Sequence, residues 1–337
     1  MNSLNENLPE ISIIVPCYNE ERTIRLLLDA LVDQTYPKDR MEVVIADGLS
    51  TDRTRQVISA FQAEHPEMQV RLVDNPQKTI PAGLNAATLA SRGGIIVRLD
   101  AHSMPYPDYV DRCVAALEAG LGENVGGVWE IQPGGAGWQA GAIAVAAAHP
   151  LGAGDAHYRL ASSARAVDTV PFGAFRRSLV ETIGAFNENL LTNEDYEFNT
   201  RVRKSGGRVW LDPAIRSVYF SRPNLASLFR QYWRYGYWKA RMIKLYPGAL
   251  RWRQMVPPAF VLSLAVLGVA APFLFQARIM LGIEILIYAA CLLVAGLQAA
   301  FARREPTLLA GLPLALGIMH IAWGGAFIWS LLDAKQR

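Results

Sequence analysis

The sequence predicts an α/β fold with a mostly parallel sheet, followed by transmembrane helices. Strand-like and helix-like segments alternate over the first 100 residues at the spacing of βαβ units. Polar side chains follow several of the strand-like segments, at the edge where open α/β sheets bind their ligands. Three long apolar runs lie beyond residue 255. Together these observations predict a ligand-binding α/β domain and a membrane domain.

Short apolar runs rich in β-branched residues predict buried strands. The first four runs are ISIIVPCY (11–18), MEVVIADG (41–48), MQVRLVDN (68–75) and GGIIVRLD (93–100). Apolar residues at helical spacing lie between them and predict helices over 20–34, 51–65 and 80–91. Further along, VGGVWEI (125–131) and RVWLDP (208–213) predict two more strands, and the Gly- and Ala-rich stretch 133–155 predicts loops with one helix.

The three apolar runs, 256–276, 279–301 and 308–332, are long enough to cross a bilayer. Arginines precede the first run and separate the second from the third, so the positive-inside rule predicts a cytosolic N-terminal domain. Three prolines in the first run leave open a re-entrant or interfacial path.

Basic and aromatic residues dominate the segment before these runs, which favours a helix at the membrane surface. The predicted domains are a cytosolic catalytic domain over 1–222, an interface segment over 223–253 and a membrane domain of about three helices over 254–337.

Composition limits the class of protein. A net charge of +3 is too small to indicate a nucleic-acid partner. The three cysteines have no zinc-site spacing and imply no disulfide framework. The polar N-terminus lacks the apolar core of a signal peptide.

Two strand ends carry residues suited to a nucleotide. Tyr18 offers a ring for stacking on a base, and Glu20 offers acceptors for sugar hydroxyls. Asp47 is suited to accept a hydrogen bond from a uracil N–H. The alternative is structural, because both stretches also suit strand-to-helix turns with helix capping.

The end of the fourth strand predicts a cation site. Asp100 supplies an oxygen ligand and His102 an imidazole nitrogen, and a bound divalent cation offsets the charge of a departing diphosphate. Because imidazole suits metals softer than magnesium, Mn²⁺ is expected to be preferred over Mg²⁺. The alternative is an ordinary loop aspartate and histidine.

A later acidic pair predicts the catalytic base. Asp195 is the candidate to take a proton from an acceptor hydroxyl, with Glu194 beside it. The alternative is favourable charge at a helix N-terminus. In the basic aromatic segment, Arg234 is the candidate to hold a departing diphosphate, while its neighbours suit membrane anchoring.

Taken in order, these motifs resemble glycosyltransferase family 2, and among its members the succinoglycan-type membrane glucosyltransferases (the ExoA group). The resemblance covers about residues 10–245. It is carried by VPCYNE, ADGLSTDRT, NPQKTIPAGLNAA, LDAHS, PFGAFRR, NEDYEFNTRVRKSGGRVW and RQYWRYGYWKARM.

The resemblance implies a GT-A fold, a Rossmann-like architecture, and roles for particular residues. The nucleotide would be contacted by Pro16, Tyr18, Glu20 and Asp47, with Lys78 nearby. Asp100 would lie in the donor site and would hold the metal together with His102. Asp195 would be the catalytic base. Gln231 and Arg234 match part of a diphosphate-binding pattern that normally ends in Trp, where this chain has Tyr235.

The resemblance also implies an activity: inverting, metal-dependent transfer of one sugar, glucose in that group, from a UDP-sugar to a hydroxyl of a polyprenyl-diphosphate-linked glycan. The setting would be exopolysaccharide biosynthesis at the bacterial inner membrane, with other polysaccharide-assembly enzymes as partners. Two alternatives stay open. One is transfer to a polyprenyl phosphate, which needs no base, and the other is a membrane protein that binds nucleotide-sugars without turnover.

Overall fold

The computed structural model describes residues 8–154 and 156–333, which divide into two compact units. The first unit comprises the described residues of Met1–Glu130 and His157–Tyr219. The second comprises those of Ile131–Ala156 and Phe220–Arg337.

The first unit is built on one mixed sheet. Its strands are β1 (Ile11–Cys17), β2 (Met41–Asp47), β3 (Gln69–Asp74), β4 (Ile95–Arg98), β5 (Ser103–Pro105), β6 (Asn124–Gln132), β7 (Arg165–Ala166), β8 (Ala174–Arg176) and β9 (Val209–Phe220). The order is β3-β2-β1-β4-β8-β6-β9-β5, with β7 paired to β9.

The four strands predicted first form the parallel part of the sheet. β1 pairs in parallel with β2 and β4, and β2 pairs in parallel with β3. Side chains on both faces of β1 and β2 are fully buried, including Ile13, Ile14, Val43 and Val44. Burial on both faces explains why these strands are continuous apolar runs and not alternating ones.

The remaining strands run antiparallel. β8 pairs with β4 and β6, while β5 and β7 both pair with β9. The strands β5, β7 and β8 have only three, two and three residues, too few to produce a periodic pattern in the sequence.

Helices cover this sheet in the first unit: α1 (Ile24–Val32), α2 (Thr54–Glu64), α3 (Ile80–Ala90), α4 (Tyr109–Glu118), α7 (Arg177–Ile183) and α8 (Glu194–Lys204). The periodic face of α1, which includes Ile24, Leu27 and Leu31, is fully buried as predicted. The mostly parallel α/β fold expected from the sequence is therefore confirmed.

The second unit is helical. Its helices are α5 (Trp138–Ala147), α6 (Pro150–Ala153), α9 (Leu225–Leu245), α10 (Val256–Ala270), α11 (Phe275–Arg303) and α12 (Leu308–Leu332). Leu312, Leu316 and Met319 of α12 lie in one buried apolar cluster with Ile143 of α5. A Cβ on Gly236 of α9 would lie 2.3 Å from the Trp323 carbonyl oxygen, so these helices pack backbone to backbone.

Three helical segments of the second unit are long and apolar enough to cross a membrane: Trp252–Ala270, Phe275–Arg303 and Leu308–Leu332. Several polar side chains within them have hydrogen-bond partners. His320 bridges α12 to Tyr288 of α11 at 2.9 Å and to the Leu151 carbonyl at 2.9 Å, and Ser263 donates to Glu284. These three helices indicate that the protein associates with a membrane.

Candidate active site

Strand register aligns the candidate site residues along one edge of the sheet. Cys17, Asp47 and Asp74 are directly paired at the carboxyl ends of β1, β2 and β3. Arg98 ends β4 opposite Ile14, so the chain beyond β4 leaves at the same edge. The predicted ligand-binding edge therefore gathers the first four strand ends.

Tyr18 presents an exposed ring at this edge. It is 44% exposed, and a Cβ on Gly48 would lie 3.0 Å from its Cδ2 atom, so a side chain there would push the ring a few tenths of an ångström from this place. The Lys78 ammonium lies 5.8 Å from the ring centroid, on a backbone with φ of 57°. The structure thus brings together two of the residues predicted to contact a nucleotide.

Asp47 lies beneath the edge and is fully buried. Its carboxylate accepts hydrogen bonds from the Ser50 backbone at 3.0 Å, the Ser50 hydroxyl at 2.5 Å and Arg55 Nε at 2.5 Å. Arg55 also pairs with Asp74. Asp47 therefore orders the turn after β2, and its contact with a uracil N–H stays a prediction.

The turns after β1 and β2 are joined by hydrogen bonds. Asn19, with φ of 55°, donates its backbone N–H to the Ser50 hydroxyl and accepts from the Thr51 backbone, both at 2.8 Å. The Glu20 backbone donates to the Thr54 hydroxyl at 2.8 Å. This network fixes the loop that carries Tyr18 and Glu20, while Pro16 lies near the end of β1 itself.

Glu20 reaches the candidate metal ligand. Its Oε1 atom lies 3.1 Å from His102 Nδ1, and both side chains are partly exposed. A carboxylate that accepts from Nδ1–H makes Nε2 the basic nitrogen, the usual arrangement behind a metal-binding histidine. Within residues 8–154 and 156–333 no group of three acidic, His or Cys side chains forms a metal cluster. The assignment of Asp100 and His102 as ligands of a cation stays a prediction.

A buried arginine links Asp100 to the acidic pair. Arg98 Nη2 lies 2.7 Å from Glu194 Oε1 and 3.3 Å from Asp100 Oδ1. Burial disfavours the charged guanidinium, but the charges of Asp100, Glu194 and Asp195 outweigh it and raise the pKa of Arg98. The sequence around Arg98 gives no sign of this contact, because Glu194 lies 96 residues further along the chain.

Glu194 and Asp195 form the first turn of α8. Burial raises the pKa of Glu194 to about 6, with the Arg98 guanidinium opposing that rise and the Asp195 charge adding to it. Asp195 is less buried than Glu194 and accepts a hydrogen bond from the Tyr196 backbone at 2.7 Å. Asp195 therefore belongs to the same charge cluster as Asp100.

The helix α9 carries the remaining predicted residues in the second unit. Gln231 donates to the Tyr235 hydroxyl at 2.9 Å, and Arg234 is exposed. Tyr235 thus lies one helical turn after Gln231, at the position where the family pattern has Trp. Their roles toward a diphosphate stay predictions.

Two relatives match this chain over nearly its whole length. A succinoglycan biosynthesis protein, ExoA, from Rhizobium meliloti (strain 1021) is 31% identical over 96% of this chain and 96% of its own length. A dolichyl N-acetyl-alpha-D-glucosaminyl phosphate 3-beta-D-2,3-diacetamido-2,3-dideoxy-beta-D-glucuronosyltransferase from Methanococcus voltae is 26% identical over 97% of this chain and 98% of its own.

Solved structures share the fold. The mannosyltransferase PcManGT from Pyrobaculum calidifontis, in complex with GDP-Man and Mn²⁺, superposes with a TM-score of 0.61 at 24% identity over 94% of this chain and 88% of its own. S. aureus TarS 1–349, in complex with UDP-GlcNAc, gives 0.52 at 15% identity over 97% of this chain and 93% of its own. The family described as Glycosyl transferase family 2 matches residues 12–184. The chain is therefore a member of glycosyltransferase family 2, an enzyme with the GT-A fold and three long apolar helices after it.

Proposed function

We propose that the protein transfers one sugar, with inversion, from a UDP-sugar to a hydroxyl of a polyprenyl-diphosphate-linked glycan. The observation that carries this proposal is the shared contact of Asp100 and Glu194 with Arg98. That contact joins the strand edge, where a nucleotide is expected, to the helical turn that carries Asp195.

The donor half of the site suits a nucleotide diphosphate. Tyr18 and Lys78 offer an aromatic face and a cation side by side, for the base and for phosphate charge. TarS, which shares the fold, was solved with UDP-GlcNAc. UDP is therefore the proposed nucleotide, and glucose the proposed sugar by resemblance to the succinoglycan-type enzymes.

Asp100 and His102 are proposed to hold a divalent cation, with Glu20 orienting the imidazole. When bound, the metal offsets the negative charge that develops on the departing diphosphate. PcManGT was solved with Mn²⁺, which agrees with the preference that an imidazole ligand implies.

Asp195 is the proposed general base. It accepts the proton of the acceptor hydroxyl while the oxygen attacks the anomeric carbon from the face opposite UDP. Inversion of an α-linked donor then gives a β-glycoside. The Arg98 guanidinium stabilises the neighbouring carboxylates, and Asp195 lies in that positive field.

One relative supports a lipid-linked acceptor and another supports a role in polysaccharide assembly. The Methanococcus voltae enzyme is named for transfer to a dolichyl-phosphate-linked sugar with a 3-beta linkage, and ExoA is named for succinoglycan biosynthesis. We therefore place the activity in exopolysaccharide assembly at the bacterial inner membrane. The domain ranges 1–222, 223–253 and 254–337, the cytosolic location of the first, and partnership with other assembly enzymes remain proposals.

The test is UDP release by the full chain in native-like membranes. UDP-glucose and other UDP-sugars are supplied with polyprenyl-diphosphate glycan, polyprenyl phosphate or no acceptor, each with Mn²⁺ or Mg²⁺. Release that depends on the lipid-linked glycan and gives a β-linked product supports the proposal. Release with polyprenyl phosphate alone favours the lipid-phosphate alternative, and nucleotide binding without release under any condition favours a binding protein.

A further inference from the structure

Arg98 joins two parts of the site that are distant in sequence. Its side chain is almost completely buried, and a single nitrogen, Nη2, contacts both Glu194 and Asp100. Glu194 begins α8, and Asp100 follows β4. One guanidinium therefore ties the first turn of α8 to the end of β4.

The Arg98 backbone is held firmly. Its N–H donates to the Gly173 carbonyl at 3.0 Å, next to the β4–β8 pairing, and the next residue, Leu99, donates to the Ile14 carbonyl of β1 at 3.1 Å. The guanidinium is thus presented from the rigid centre of the sheet. A group mounted there defines where its partners lie better than a group on a mobile loop.

The guanidinium is incompletely satisfied. Its Nε and Nη1 atoms are buried and have no hydrogen-bond partner among the residues that the structure describes. Burying such donors unpaired costs free energy, and an apolar pair in place of a buried ion pair is often no less stable. Because this unfavourable burial lies next to candidate catalytic carboxylates, a functional role explains Arg98 better than a contribution to folding stability does.

We propose that Arg98 is a positioning residue, which keeps the Asp100 loop and the Asp195-bearing turn of α8 in one fixed arrangement. This inference rests on the proposed function for the roles of Asp100 and Asp195. Arg98 itself does not touch substrate. It acts through Glu194 on the acceptor side and through Asp100 on the donor side.

The experiment is a double-mutant cycle in the full chain, with Arg98→Met, Glu194→Gln and both together. Affinity for UDP with Mn²⁺ and kcat are measured separately. Glu194 has no predicted contact with the donor, so its substitution reaches the UDP site through Arg98 and through the nearby charge of Asp100. We expect each single variant to weaken UDP binding about tenfold, and the double variant to be no weaker than the worse single variant.

Two further variants separate positioning from folding. Arg98→Met is expected to lower kcat about a hundredfold. Arg98→Lys keeps the positive charge, so its kcat is expected to lie between those of Arg98→Met and wild type. Arg201→Met is the matched control, because Arg201 pairs with Glu197 and ties α8 to the Ile183 carbonyl without reaching Asp100. It is expected to lower the unfolding temperature and leave kcat unchanged.

Additive effects on UDP affinity, or a double variant that regains both stability and full kcat, would overturn the proposal. The double variant removes both members of the buried ion pair, so it remains interpretable if a single variant folds poorly. A wild-type protein that binds UDP but transfers no sugar to any acceptor contradicts the proposed function alone, since the affinity cycle still decides the role of Arg98.

Discussion

His102 occupies a position where a second carboxylate would be the usual metal ligand in a sugar-nucleotide site. Glu20 lies 3.1 Å behind its ring and comes from a different strand end. We propose that this carboxylate contributes to the site as the group that orients the imidazole. The preference for one metal over another is therefore the property that a histidine in place of a carboxylate should change most directly.

We expect His102→Asp to shift the metal preference from Mn²⁺ toward Mg²⁺. An all-oxygen ligand set suits magnesium, whereas imidazole suits softer ions. The measurement is turnover as a function of each metal concentration, in wild type and variant. An unchanged Mn²⁺-to-Mg²⁺ ratio, or full wild-type activity in a chelator, would remove His102 from the metal site.

The buried Glu194 predicts a specific dependence of stability on pH. Its pKa is about 6, above the ordinary value of 4.5, so the folded protein keeps this proton as the pH rises where the unfolded chain loses it. The resulting stabilisation is complete below pH 4.5 and is lost as the pH rises through about 6.

The unfolding temperature of wild type should therefore rise relative to that of Glu194→Gln as the pH falls from 7 to 5. Thermal unfolding followed by tryptophan fluorescence measures this difference. A slope of the opposite sign would mean that Arg98 outweighs burial and lowers the pKa of Glu194.

At this scale the sequence predicts the strand-end residues well and the long-range contacts poorly. Tyr18, Asp47 and Asp100 follow from local strand patterns, because parallel strands end at one edge. The pairing of Arg98 with Glu194 has no local signature, since it depends on how α8 returns to the sheet. The contact of Glu20 with His102 also has no local signature, because the two residues lie 82 positions apart in the sequence.

Among the secondary-structure elements, β6 is constrained by its glycines. A Cβ on Gly127 would lie 1.7 Å from the Ile215 carbonyl oxygen of β9, an impossible contact with backbone. A Cβ on Gly94, just before β4, would have no such neighbour within 4 Å. The two glycines therefore form a matched pair for testing the β6–β9 contact.

Gly127→Ala is expected to lower the free energy of unfolding by ~3 kcal/mol or more, because the neighbouring strand must move. Gly94→Ala is expected to change it little. Chemical denaturation of both variants checks this, and equal stability of the two would show that β6 and β9 do not approach as closely as described.

The strands β1 to β4 and the helices α1 to α3 were predictable because they carry a clear pattern of apolar residues. The α5 segment has no comparable pattern that would place it in the fold. Its Gly- and Ala-rich composition predicts one helix, but nothing in it indicates that the helix groups with the apolar helices of the second unit. That grouping comes from the contacts of Ile143 and Val145 with α12, which no local pattern encodes.

For the whole molecule, the helices α10 to α12 predict a defined topology. With a cytosolic N-terminal domain, three crossings place the turn at Ala271–Leu274 outside and the turn at Arg304–Thr307 inside. Pro272→Cys and Thr307→Cys, one at a time, test this with a membrane-impermeant thiol reagent on intact cells. Labelling of Pro272→Cys alone is expected, and the reverse pattern would contradict the cytosolic placement.

The same topology predicts that the full chain stays with the membrane after alkaline carbonate washing. Three apolar helices of this length insert essentially irreversibly, in contrast to an amphipathic surface helix. Release of the chain by carbonate would contradict this topology and would mean that the protein binds only to the membrane surface.

The decisive measurement is the turnover of Asp195→Asn with UDP-sugar and lipid-linked glycan. The amide keeps the shape of the carboxylate but does not accept the acceptor proton, so kcat is expected to fall by ~100-fold to 10,000-fold while UDP affinity stays at the wild-type value. Glu181→Gln, on the exposed surface of α7, is the matched control and is expected to behave as wild type. Near-normal turnover of Asp195→Asn would contradict the base assignment and, with it, transfer to a sugar hydroxyl.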